Sequence, residues 1–301
     1  MQTTLQARPG PARVWFMAVR PATLPAAVAP VLVGAAVAFR AAHFRALPFL
    51  AALVAAVLIQ IGANFANDLF DFRKGADTTE RLGPTRVTQS GLVSPRGVAY
   101  ATALAFGLAA LIGLYLVLVG GWPILIVGLA SILAAICYTG GPYPLGYHGL
   151  GDVFVFVFFG IVAVVGTYYV QAGALSLPAV VAAVPMGLLI TAILVVNNVR
   201  DIDTDRLAGK RTTAVRMGRR RTRIYYTVLV AGSYLFPVIL WLMGAASWLF
   251  WLPALTAPLA LRLARTVATR EDGPSLNKAL KGTGVMQLLF GILFSLGLLF
   301  P

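Results

Sequence analysis

Nine apolar runs, at 14–39, 46–66, 97–119, 122–139, 152–171, 177–199, 224–243, 246–266 and 282–300, occupy most of a 301-residue chain. A helix needs about 20 residues to cross the hydrocarbon core of a bilayer. No water is present there to satisfy backbone N–H and C=O groups, so a chain of this kind must be helical where it crosses. The expectation is an all-α, polytopic membrane protein with about nine transmembrane helices, or eight if 246–266 does not cross. The first run is too long, and followed by too many others, to be a cleaved signal peptide. Composition agrees: 59% of residues are hydrophobic and 11% charged, where soluble domains carry roughly 25% charged residues.

The positions of Lys and Arg predict orientation, because short cytoplasmic loops hold an excess of them. With nine spans and the N-terminus inside, 22 of the 24 basic residues fall in the cytoplasm, and only Arg40 and Arg45 fall outside. The net charge of +14 is therefore a topology signal, and no nucleic-acid partner is expected. The single cysteine, Cys137, lies in an apolar run with no partner for a disulfide or a metal cage. His43 and His148 are too few and too far apart for a histidine metal site.

Seven of the ten acids sit in two places. Asp68, Asp71, Asp77 and Glu80 follow the second run, in "NFANDLFDFRKGAD", and Asp201, Asp203 and Asp205 follow the sixth, in "NNVRDIDTDRLAGKRTT". Both runs are read as passing from outside to inside, so both clusters meet at the cytoplasmic surface. Steps of three or four residues return to the same side of a helix. Gln60, Asn64, Asp68 and Asp71 then share one face, as do Asn197, Asp201 and Asp205. The shared pattern, Asn-x-x-x-Asp followed by a further Asp, is a weak internal repeat that suggests two related halves facing each other.

Such clusters are unfavourable alone. Like charges four residues apart repel, carboxylates oppose the macrodipole at a helix C-terminus, and partial burial adds to the cost. Divalent cations remove the conflict, and Mg²⁺ is generally held by a few carboxylates with substrate phosphates completing its shell. Arg73, Lys74, Arg81 and Arg86 follow the first cluster, and Arg206, Lys210 and Arg211 the second. A diphosphate needs both kinds of partner. The run at 219–221 reads as a positive-inside anchor. Arg20 differs, because it lies inside the first apolar run with Pro21 behind it, where a charge is a site candidate.

The two acidic motifs, with "RPATLPAAVAPVLVG", "GPTRVTQSGLVSP" and "CYTGGPYPLGYHGLGD", resemble those of the UbiA-type intramembrane aromatic prenyltransferases. The likeness covers nearly the whole chain, and implies one transmembrane prenyltransferase domain over 1–301 with motif loops at about 67–97 and 200–223. Within that superfamily, "NDLFDFRKGADT" and "GGPYPLGYHGLGD" are most similar to the branch that prenylates 1,4-dihydroxy-2-naphthoate in menaquinone synthesis.

The resemblance implies helices around a central cavity whose polar mouth faces the cytoplasm, with the prenyl tail in a groove open to lipid. It further implies a prokaryotic plasma membrane and two Mg²⁺ ions bridging the diphosphate of a polyprenyl diphosphate. Asn64, Asp68 and Asp71 would hold one ion, and Asn197, Asp201 and Asp205 the other. The broader superfamily often spaces its first-motif acids four apart, whereas position 72 is Phe, which leaves Asp71 and Asp77 competing as outer ligand. Arg86 and Lys210, with Lys74 and Arg73, would contact the diphosphate. Arg20 and Tyr138 would stand near the reacting centre, with Tyr143 beside the acceptor ring.

The implied chemistry is ionisation of the allylic C1–O bond, with the carbocation sheltered in an apolar cavity. The naphthoate ring then attacks at the carbon bearing the carboxylate, with loss of CO₂, to give demethylmenaquinone. Two other readings stand beside this one: a prenyltransferase for another acceptor, such as 4-hydroxybenzoate, and a transporter. Transporters concentrate ionisable groups near the midplane, whereas here every acid except Asp152 lies at or beyond the cytoplasmic end of a run. "VFVFVFF" alternates like a strand but starts an apolar run, and reads as helix with its Phe side chains facing lipid or lining the tail groove.

Overall fold

The computed structural model describes residues 9–75, 82–83 and 85–300. Asp77 lies outside the described residues. The chain enters through α1 (Pro11–Val19), breaks at Arg20, makes a 3₁₀ turn (Pro21–Thr23) and resumes as α2 (Pro25–Arg40). Three helices follow: α3 (Ala46–Arg73), α4 (Pro95–Gly120) and α5 (Trp122–Cys137). The next span has three parts: α6 (Gly151–Val155), a π-helical stretch (Phe156–Val162) and α7 (Ala163–Ala172). α8 (Leu177–Arg200) ends at the second acidic motif, and the short α9 (Ile202–Leu207) and α10 (Thr213–Met217) carry the loop behind it. α11 (Arg219–Ser233) and α12 (Leu235–Leu242) form one span, a 3₁₀ stretch (Trp248–Thr256) leads into α13 (Ala257–Thr269), and α14 (Gly273–Leu299) closes the bundle.

All nine apolar runs are helical, but they do not all have crossing length. Among the described residues six helices are long and apolar enough to span, and a seventh results if Pro11–Thr23 and α2, bent by 49° where they meet at Leu24, are one span. α5 has 16 residues, a rise of about 24 Å at 1.5 Å per residue, short of the roughly 30 Å hydrocarbon core. The run at 246–266 is broken into a 3₁₀ stretch and an amphipathic helix, with Ala260, Leu263 and Val267 buried.

Helix ends carry the expected signals. Ser94 Oγ accepts from Gly97 N at the start of α4, and Asp272 does the same for Ser275 N at α14, each followed by a proline in the first turn where no N–H is missed. Along α4, Tyr100, Leu104, Leu108, Leu111 and Leu118 are exposed, a stripe at steps of three, four and seven that only lipid would cover.

The main core joins α2, α7, α8, α11, α12, α13 and α14 through Val33, Val164, Ala183, Met186, Tyr226, Leu240, Leu263, Met286 and Phe290. A second cluster packs α1, α3 and α4 around Val14, Phe65, Leu69 and Val98, and it includes Val87 from the loop between α3 and α4. Glycine sets one close approach: a Cβ on Gly160 would lie 2.5 Å from Gly187 Cα, so the π-helical stretch and α8 meet backbone to backbone. This contact seats one wall of the site against α8.

Candidate active site

The last turns of α3 bury four polar residues in a row, Gln60, Asn64, Asp68 and Asp71, on the single face that the spacing predicts. Asp68 accepts hydrogen bonds from the backbone N–H groups of Val87 and Thr88, at 3.1 and 3.2 Å, and so fixes the loop between α3 and α4 over the motif. Asp71 accepts from Arg86 Nη2 at 2.8 Å and from the Tyr147 phenol at 2.6 Å. Asn64 Nδ2 donates to Val19 O and to Thr23 Oγ1, which holds the α1–α2 break against α3. At that break Arg20 adopts φ 55°, a left-handed conformation that is uncommon for a residue with a Cβ.

The second motif is organised by Arg200, whose side chain is fully buried. Its Nε and Nη2 take both oxygens of Asp201, at 2.7 and 2.5 Å, its Nη2 also reaches Asn197 Oδ1, and its Nη1 reaches Asn277 Oδ1 on α14. Asn277 in turn donates to Leu82 O, so the guanidinium couples the second motif to the loop behind the first. Asp203 points away, exposed and paired with Arg219 and Arg206.

Lys210 joins the motifs, with its ammonium 3.6 Å from Asp71 and 3.9 Å from Asp205. The Tyr147 ring lies beneath two cations, 4.5 Å from Lys210 Nζ and 5.1 Å from Lys74 Nζ, a favourable placement over an aromatic face. Lys74 also donates to Thr139 O and Gly141 O. Burial, and to a smaller degree Lys210, pushes the Lys74 ammonium below the usual lysine range, while Asp71 offsets part of the shift. The loop from Tyr138 to Gly149 is pinned to the second-motif loop: Arg211 N donates to Tyr147 O, and Arg216 Nη2 to His148 O.

Beside this cluster opens an apolar cavity of about 310 Å³, lined among others by Ala63, Gly113, Tyr138, Phe154, Phe158 and Gly166. Ala63 precedes Asn64, and Gly146 packs close on the Tyr138 ring, so the polar cluster and the cavity share a boundary. Of the two placements open to the phenylalanines of "VFVFVFF", lining the cavity is the one found for Phe154, Phe158 and Phe159.

Thus Asp68, Asp71, Asp205, Arg86, Lys74 and Lys210 gather, while Asn197 and Asp201 are held by Arg200. Arg73 and Tyr143 are exposed, and Tyr143 stacks on His148. The sequence reading missed Tyr147, Arg200 and Asn277. Tyr147 and Arg200 stood inside quoted motifs, but nothing in the sequence marks Asn277. Among the described residues no three His, Cys, Asp or Glu side chains form a metal cage. An ion here would need substrate oxygens as well, which is the usual way Mg²⁺ is held; the carboxylate and carboxamide donors suit that ion.

Residues 27–291 match the model of the UbiA prenyltransferase family. The chain is 40% identical over 292 residues to the 1,4-dihydroxy-2-naphthoate octaprenyltransferase of Escherichia coli, covering 95% of each chain. It is 41% identical to the Mycobacterium leprae protein of the same name, covering 92% and 93%. Its fold resembles a UbiA homolog from Archaeoglobus fulgidus solved with GPP and Mg²⁺, with TM-score 0.67, 14% identity and coverage of 95% and 99%. It also resembles an apo homolog from Aeropyrum pernix, with TM-score 0.68, 15% identity and coverage of 88% and 96%.

Proposed function

The chain belongs to the UbiA prenyltransferase family, and from that premise we propose that it transfers a polyprenyl group from polyprenyl diphosphate to 1,4-dihydroxy-2-naphthoate in menaquinone synthesis. It is an integral membrane protein, and we place it in a bacterial plasma membrane with 1–301 acting as one domain and the motif loops facing the cytoplasm. The observation that carries the reading is the Lys210 bridge between Asp71 and Asp205. It brings both acidic motifs, and the cations interleaved with them, to the edge of an apolar cavity.

Arg86, Lys210 and Lys74 cradle the diphosphate, and the prenyl chain enters the cavity between α3, α4, α5 and the Gly151–Ala172 span. Asn64, Asp68, Asp71, Asn197, Asp201 and Asp205 are the oxygen donors for two divalent cations; when bound, these neutralise the departing diphosphate. Arg86 and Lys210 pair with Asp71, Arg200 with Asp201 and Lys210 with Asp205, while backbone N–H groups hold Asp68. The cavity wall of Ala, Gly, Phe and Val side chains excludes water from the allylic cation. Arg20, at the α1–α2 break beside Asn64, faces the acceptor carboxylate, and Tyr138 lies against the ring. Attack from the carbon bearing that carboxylate, with loss of CO₂, yields the demethylmenaquinone skeleton.

Purified protein incubated with Mg²⁺, a polyprenyl diphosphate and a panel of aromatic acids tests this reading by mass spectrometry of product and measurement of released CO₂. Prenylation of 4-hydroxybenzoate with its carboxylate retained, and none of the naphthoate, would overturn it.

A further inference from the structure

Among the described residues Asp152 is the one buried acid that neither motif accounts for. It is the second residue of α6, 7% exposed, and neither carboxylate oxygen has a hydrogen-bond partner among the described residues. The Thr213 side chain lies near it. The start of a helix favours a negative charge, but a buried carboxylate without donors is among the least favourable groups a fold can keep.

Its surroundings show what would satisfy it. A Cβ on the adjacent Gly151 would lie 3.0 Å from the Tyr138 hydroxyl, and Tyr138 lines the apolar cavity. Val155, three residues further on and within about 60° around the helix, lines it too. Asp152 therefore stands behind the cavity wall beside Tyr138, and neither Arg86, Lys74 nor Lys210 is hydrogen-bonded to it. A prenyl diphosphate has no donor to offer a carboxylate there, since its head is anionic and its tail apolar. A hydroxylated aromatic ring has donors.

We propose that Asp152 recognises the aromatic acceptor by accepting a hydrogen bond from a ring hydroxyl, next to Tyr138. This rests on the reading that the acceptor is a hydroxylated aromatic acid, and it extends that reading to an assigned contact. The consequence is orientational: the ring turns its hydroxyl edge to Asp152, and its own carboxylate is repelled toward the cationic side. A hydroxyl bonded to a carboxylate also releases electron density into the ring, which favours attack on an allylic cation.

The test is equilibrium binding to the full chain in lipid nanodiscs, using 1,4-dihydroxy-2-naphthoate and its dimethyl ether as probes. Wild type should prefer the dihydroxy compound by about tenfold or more, the value of a hydrogen bond to a charged acceptor. Asp152→Leu should abolish that preference, and Asp152→Asn should retain part of it. Farnesyl diphosphate should bind all three proteins equally, and neither variant should melt below wild type by more than a few degrees, because neither carboxylate oxygen has a hydrogen-bond partner among the described residues. An undiminished preference in Asp152→Leu, or a large fall in Tm for both variants, would overturn the assignment. If wild type binds no naphthoate at all, the proposed acceptor is wrong; the same comparison with whichever phenolic acid is prenylated, and its methyl ether, then decides the role of Asp152.

Discussion

The Tyr147 phenol donates a 2.6 Å hydrogen bond to Oδ1 of Asp71, across 76 residues of sequence, while its ring carries the ammonium groups of Lys74 and Lys210. One side chain thus positions an acid of the first motif and two cations. Tyr147→Phe keeps the ring and removes the hydroxyl, so it should lower kcat/KM by about tenfold, equivalent to one charge-assisted hydrogen bond. Tyr147→Leu removes both contacts and should cost more, chiefly in KM for the prenyl diphosphate. Steady-state kinetics on the two variants check this, and equal losses in both would detach the ring from any role.

Activity should depend on a divalent cation, and Asp68→Asn or Asp201→Asn should each reduce turnover by at least two orders of magnitude, comparable to losing one preorganised charge contact, about 100-fold. The two differ in stability. Among the described residues Asp68 accepts from the backbone N–H groups of Val87 and Thr88, and an asparagine can keep part of that. Asp201 neutralises the buried Arg200, and breaking such a pair costs about 3 kcal/mol. Asp201→Asn should therefore melt well below Asp68→Asn. A wild-type rate that survives complete chelation would sink the metal dependence.

That contrast shows where the sequence could be read and where it could not. Periodicity placed Asn64, Asp68 and Asp71 on one buried face, and matching acids after the second and sixth runs implied that they meet. Read alone, the carboxylates repel, so neutral substitutions should relieve strain. The fold instead supplies Arg200, Arg86 and Lys210 as partners, and tertiary pairing of this kind has no local signature. Arg200 looked like one more positive-inside charge, because its role depends on Asn277, 77 residues on. The number of crossings was less legible for a different reason: hydropathy sees an apolar run at 122–139 but not that its helix stops after Cys137.

Arg86→Ala and Lys210→Ala should raise KM for the prenyl diphosphate far more than for the naphthoate. Both cations approach Asp71, so each single variant leaves that carboxylate with the other, and folding should survive. Equal effects on both substrates would point to a displaced loop instead.

The cavity makes a claim about donor length. Gly113 and Gly166 line it, and a Cβ at either meets nothing within 4 Å. Gly113→Leu and Gly166→Leu should fold normally and gain helix propensity, worth up to about 1 kcal/mol. They should nevertheless discriminate against long prenyl diphosphates while sparing geranyl diphosphate. Unchanged chain-length profiles in both variants would move the tail to another surface.

Lys74 gives a pH dependence whose two parts oppose each other. Burial and Lys210 hold its folded pKa below the ordinary lysine value of 10.5, so the unfolded chain keeps this proton to higher pH than the folded one. Stability from this group therefore rises as pH climbs from the folded pKa toward the unfolded value, because the partly desolvated charge is lost. Donor binding should move the other way, since the ammonium proposed to face the diphosphate disappears over the same window. Lys74→Arg keeps its charge throughout, so in wild type alone KM for the prenyl diphosphate should climb at alkaline pH while Tm holds or rises. Parallel KM profiles for the two proteins would remove Lys74 from the diphosphate site, and a wild-type Tm that falls in step with affinity would mean that the charge stabilises the loop instead.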